Sequence, residues 1–137
     1  MDTDRIAWDP TFEIGAEEID RQHRQLVELI GAIPDVPTPR DEVLRAEVLA
    51  YAATHLLREQ AFMAQIGYPG RHAHANEHKT LARLLLAYQQ EYDAGMHDLR
   101  AFKQFMYRWV RDHVMDEDHR IGEYLAMTQI GAQADHA

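Results

Sequence analysis

Apolar residues recur every three or four positions along four stretches of this chain, and glycine, proline or acidic residues bound each stretch. That period lines one face of an α-helix. The first stretch predicts a helix over about 17–32, with Ile19, His23, Leu26, Val27 and Ile30 on its inner face; Pro34, Pro37 and Pro39 stop it. The second predicts about 41–66, with a stripe of Leu44, Val48, Ala52, His55, Glu59, Phe62 or Met63, and Ile66. Asp41 or its predecessor suits the cap, and Asp41 and Glu42 suit the first turn. After the break at Gly67, Pro69 and Gly70, a third helix is expected over about 71–93, carrying His74, His78, Leu81, Leu85, Tyr88 and Tyr92. A fourth, over about 98–117, carries Leu99, Phe102, Met106, Trp109 and His113. Residues 1–18 read as an extended arm that Trp8, Phe12 and Ile14 pack onto the body. Residues 118–137 read as a tail with a short helix, roughly Ile121 to Ile130.

No alternating strand pattern and no internal repeat is visible. Four long amphipathic helices with short connections predict an all-α, up-down-up-down antiparallel four-helix bundle, one domain over 1–137. An open helical array fits less well, because each helix has a single apolar stripe.

The histidines change this picture. His23, His55, Glu59, His74, His78 and His113 fall in the apolar stripes, not on the solvent faces. Burying such groups together without partners costs several kcal/mol each. A metal removes that cost by turning them into ligands. Pairs four residues apart, His55 with Glu59 and His74 with His78, share one helix face. The loop positions bring His78 and His113, and Glu59 and His78, to matching levels, about 25 Å of helix for the longer arms at about 1.5 Å per residue. Asp118 lies five residues beyond His113, about 140° further round an ideal helix. For it to join the same layer, the helix must bulge or end there, so a π-bulge or a helix terminus is expected near Met115–Asp118.

Composition narrows the chemistry. The 137 residues suffice for one well-packed core. The formal charge is -9 with no basic block, which argues against nucleic acid or an anionic membrane surface as partner. No stretch is apolar enough to span a membrane, and the N-terminus does not read as a signal peptide, so a cytoplasmic protein is expected. Without cysteine, a metal has only nitrogen and oxygen ligands, which suits iron, manganese or zinc.

The combined pattern resembles the hemerythrins, most closely their single-domain bacterial members. The matching motifs are Trp8 with Ile19-Asp20-Arg21-Gln22-His23, then His55 and Glu59, then His74 and His78, then Trp109, His113 and Asp118, with Gly67-Tyr68-Pro69 between the second and third. Together they cover nearly the whole chain. The resemblance implies a non-haem centre of two iron ions with an oxo or hydroxo bridge. His74, His78 and His113 would hold one iron, and His23 and His55 the other, which keeps an open position. Glu59 and Asp118 would bridge both. The chain departs from the family at Leu56, where Phe is frequent, at Gln60, where a second Glu is frequent, and at Met115, expected over the oxygen pocket where Leu or Ile is usual.

The implied activity is reversible dioxygen binding for storage, transport or delivery, by a monomer that is not an enzyme. An oxygen-consuming enzyme or a reductase would be its partner. A sensing module, or weak di-iron peroxidase or nitric-oxide chemistry, is the alternative. The Glu-x-x-His pairs of ferritin-like enzymes are absent: Ala52, Arg71, Ala75 and Val110 stand three residues before the helical histidines. Seven candidate ligands exceed what one tetrahedral zinc uses. His72, His97, His119 and His136 read as surface residues, Asp20 as a solvated helix-start carboxylate, and Trp109, Phe62, Met63 and Leu81 as core, some of it lining the oxygen pocket.

Overall fold

The computed structural model describes residues 6–135, with side chains to residue 128. Helices α1 (Glu17–Gly31), α2 (Asp41–Gln65), α3 (Arg71–Asp93) and α4 (Leu99–His113) follow the four apolar stripes closely, and no strand occurs among the described residues. They pack as a helical bundle in which α1 contacts α2 and α4, and α2 contacts α3. Helix α4 meets α3 through Trp109, whose Nε1–H donates to the Leu81 carbonyl at 3.3 Å, and through Tyr88 stacked on Phe105 at 3.9 Å. The inner stripes are buried as their spacing requires. Ile19, Leu26, Ile30, Val48, Ala52, Met63 and Met106 have no exposed surface. Asp98 caps α4 by accepting from the Ala101 amide at 2.7 Å. Helix α2 begins at Asp41 without a side-chain cap at Arg40, and Asp41 instead accepts from the Thr38 amide at 2.7 Å.

Two expectations need correction. The chain does not leave the bundle at 118 as a tail with a short helix. It passes from α4 through a π segment, Val114–Asp118, into α5 (His119–Asp135) without a break. The arm is not wholly extended either. Pro10–Phe12 forms one 3-10 turn, with Asp9 accepting from the Thr11 amide at 2.8 Å. Residues 1–5 of the arm and His136 lie outside the described residues.

The arm is fixed to the body at several points. Phe12 and Ile14 are buried, Tyr107 donates to the Ala7 carbonyl at 3.1 Å, and His119 lies 2.9 Å from the Thr11 carbonyl. Asp20, buried on α1, accepts from the Ile14 and Gly15 amides at 2.8 and 3.1 Å. It therefore anchors the arm instead of standing in solvent. Where the arm crosses α5, a Cβ on Gly122 would collide with the Ile14 carbonyl oxygen, so only glycine fits.

Candidate metal centre

The four helices and the π segment bring seven side chains to one point. His23 comes from α1, His55 and Glu59 from α2, His74 and His78 from α3, His113 from the end of α4, and Asp118 from the π segment. None is more than 4% exposed. The ligand atoms of His23, His55, Glu59, His113 and Asp118 all lie within 4.8 Å of one another; those of Glu59, His74, His78 and His113 form a second such group.

The π segment answers the problem of Asp118. Residues 114–118 widen the turn, and Asp118 swings back beside His113, with Nε2 to Oδ1 at 3.1 Å.

The carboxylates divide the histidines. Glu59 Oε1 lies 2.7 Å from His74 Nε2, 2.9 Å from His78 and 3.1 Å from His113. Its other oxygen, Oε2, faces His55 at 3.2 Å and His23 at 3.5 Å. Asp118 does the same, with Oδ1 at 3.1 Å from both His74 and His113, and Oδ2 at 2.8 Å from His23. His23 and His55 meet at 3.0 Å between their Nε2 atoms. The result is a three-imidazole half and a two-imidazole half, with each carboxylate facing both.

Electrostatics follow from this packing. Burial disfavours charge on His23 and His74, but Asp118 and Glu59 more than reverse it and push each up to about 9. His113 is opposed by burial and raised on balance by the same two carboxylates. In His55, burial prevails over Glu59 and the pKa falls. Burial favours the neutral form of Glu59, yet His113, His23, His55 and His74 together hold it well below the usual carboxylate range.

The residues fit a metal. Ligand bonds of about 2.1 Å at right angles place neighbouring ligand atoms about 3 Å apart, the spacing seen between the Nε2 and carboxylate atoms. Several of these contacts have the distance but not the alignment of hydrogen bonds: Glu59 Oε2, His74 Nε2 and both Asp118 oxygens are buried and lack a hydrogen-bond partner. Buried polar atoms left so cost free energy unless a cation satisfies them. Five imidazoles and two carboxylates form a nitrogen–oxygen donor set.

Some residues around the centre differ from expectation. Gln22, buried next to His23, was not read as functional; its Oε1 accepts from His55 Nδ1–H at 2.8 Å. Met115 does not cover the centre. It is 43% exposed, whereas Val114 is fully buried. Two residues beyond an inward histidine is about 200° of helix, which points outward. Met63 and Trp109 are buried, and the Trp109 ring lies 6.1 Å from that of His113. His72 is exposed, and His97 stacks on Tyr88 at 4.2 Å.

Residues 14–125 match the family described as hemerythrin HHE cation binding domain. Curated relatives include bacteriohemerythrin of Pseudomonas paraeruginosa, 26% identical over 117 residues, covering 82% of this chain and 76% of that one. Bacteriohemerythrin of Clostridium acetobutylicum is 24% identical over 124 residues, covering 82% and 95%. A hemerythrin-like protein of Naegleria gruberi is 25% identical over 111 residues, covering 81% and 86%. No solved structure matches the chain.

Proposed function

The chain belongs to the hemerythrin family of HHE cation-binding domains, and from that premise we propose that it binds dioxygen reversibly at a non-haem di-iron centre, for storage, transport or delivery. The observation that carries this reading is the uneven division of five imidazoles about two shared carboxylates. His74, His78 and His113 would hold one iron, His23 and His55 the other, and Glu59 and Asp118 would bridge them. Iron, when bound, supplies the open coordination position and the electrons that reversible dioxygen binding needs.

The chain's own residues set the conditions. Three imidazoles leave less room in their half than two leave in the other, so His23 and His55 would hold the iron that keeps an open position. Gln22 accepts the proton-bearing Nδ1 of His55 and thereby turns the Nε2 lone pair toward the centre. Glu59, held well below the usual carboxylate range, carries no proton at neutral pH. The oxygens of Glu59 and Asp118 face imidazoles on both sides, and Glu59, being ionised, is no acid for O–O cleavage. Burial of all seven side chains keeps bulk water away from the centre. Such a site holds oxygen and does not turn it over.

The test is the visible spectrum of iron-loaded protein cycled between anaerobic and air-equilibrated buffer. A colour that appears with oxygen and fades on its removal, at two irons per chain, is the expected result. Immediate oxidation with no oxygenated form overturns the carrier reading in favour of sensing or enzymatic chemistry.

A further inference from the structure

The centre is buried, yet a ligand gas has to reach it. Two cavities between helices extend to one of its histidines. One, of about 130 Å³ between α3 and the end of α4 with the π segment, reaches His113 and is lined by Leu81 and by four acidic residues, Glu77, Asp112, Asp116 and Glu117. The other, of about 300 Å³ between α2 and α3, is lined by Ala53, Leu56, Leu57, Ala75 and Ala82, and ends at His78. Its polar lining is confined to Gln60 and Lys79, besides that histidine.

The two differ in what they welcome. An acidic cleft is hydrated and offers nothing to an uncharged, apolar gas. An apolar cleft does, since apolar cavities of comparable size take up small apolar solutes such as xenon. The small side chains of Ala53, Ala75 and Ala82 leave the space open, and Leu57, 69% exposed, forms its outer lip. At the inner end stand His78, whose Nε2 lies 2.9 Å from Glu59, and Leu56, the neighbour of His55 and only 5% exposed. The cleft thus runs from solvent to His78 of the three-imidazole half and to Leu56, which stands between the cleft and the half that holds His55.

We propose that the α2–α3 cleft is a docking and access path for dioxygen, and that Leu56 is its inner gate. The inference rests on the reading of the centre as a dioxygen site. Leu56, by side-chain rotation, opens or closes the last step between cleft and centre.

The test fills the cleft from its surface with Ala53→Phe and Ala82→Phe, both at exposed positions away from the seven site residues. Ala50→Phe, in the α1–α2 cavity, is the control. Stopped-flow oxygenation of the iron-loaded double variant should slow about tenfold in both association and dissociation, with oxygen affinity unchanged, because a path affects both directions equally. Amide shifts under xenon should appear at the cleft in metal-free wild type and vanish in the double variant. The xenon result does not depend on oxygen binding. If the centre oxidises without holding oxygen, the proposed function fails, and the double variant must still slow that oxidation. Unchanged rates with xenon excluded overturn the path. So do equal slowing in the Ala50→Phe control, absence of xenon from the wild-type cleft, or a dimer that Ala53→Phe dissociates, which would assign the cleft to a second copy.

Discussion

The two halves of the proposed centre are built differently. Helix α3 supplies a pair, His74 and His78, one turn apart, and α4 adds His113. Helices α1 and α2 each supply one imidazole, His23 and His55, and α2 spends its next inward turn on Glu59. The uneven division of imidazoles therefore follows from which helix carries two histidines at four-residue spacing. The halves also differ in outer support. His55 has a partner for Nδ1 in Gln22, whereas Nδ1 of His23, His74, His78 and His113 has none among the described residues. A site of two identical halves would have no reason to bind a small ligand on one side only. Here the side with fewer imidazoles is also the side whose ligand ring is held by a buried amide.

The largest effect comes from removing what the halves share. Glu59→Ala takes away the carboxylate that faces all five histidines, and buried imidazoles are left around a gap. Metal content, measured by elemental analysis, should fall from two irons per chain to a small fraction of one. Retention of two would show that Glu59 does not bridge.

A smaller change separates the halves. Gln22→Ala removes the one outer hydrogen bond of the two-imidazole half. Loss of such a partner commonly costs about 10–100-fold in metal affinity. Competition with a chelator should show one of the two irons leaving more easily while the other holds. Equal loss from both would mean that Gln22 stabilises the bundle and not His55.

Scaffold damage should leave the comparison intact. Gly122→Ala drives a methyl group into the Ile14 carbonyl and should lower stability by about 1–3 kcal/mol, as overpacking does. Denaturant unfolding measures that loss, and the iron count should remain at two.

The mildest prediction concerns pH in the metal-free chain. His23 and His74 are raised to about 9 from an ordinary 6.5, so their stabilising protons are fully bound below pH 6.5 in both folded and unfolded chain. That contribution is lost as pH rises from about 6.5 through about 9. The melting temperature of metal-free protein should fall across that window. Loading requires neutral imidazoles, so it should release protons at neutral pH. A melting temperature that rises across the window would reverse the assigned ion pairs.

Much of this was legible in the sequence because it depends on local periodicity. The four apolar stripes placed α1 to α3 within a residue or two, since burial and the 3.6-residue repeat are properties of a helix by itself. The five-residue step from His113 to Asp118 required a bulge or a helix end, because an α-turn cannot place both inward, and the structure has the bulge. What stayed hidden depends on tertiary contact. Gln22 meets His55 across 33 positions of chain, and no spacing rule links them. Asp20 looked like an ordinary first-turn acid until the arm folded back over it. The continuity of α4 into α5 was missed because the bulge shifts the apolar register, which reads in sequence as a helix end. Met115 was misplaced for the same geometric reason, with Val114 turned inward instead.

The most direct test of the asymmetric centre is Mössbauer spectroscopy of iron-57-loaded protein under oxygen. Two signals of equal area, one for each half, are the result expected here, collapsing toward similar environments when oxygen is withdrawn and the irons are reduced. A single signal, or one iron per chain, would contradict a centre divided between His74, His78 and His113 on one side and His23 and His55 on the other.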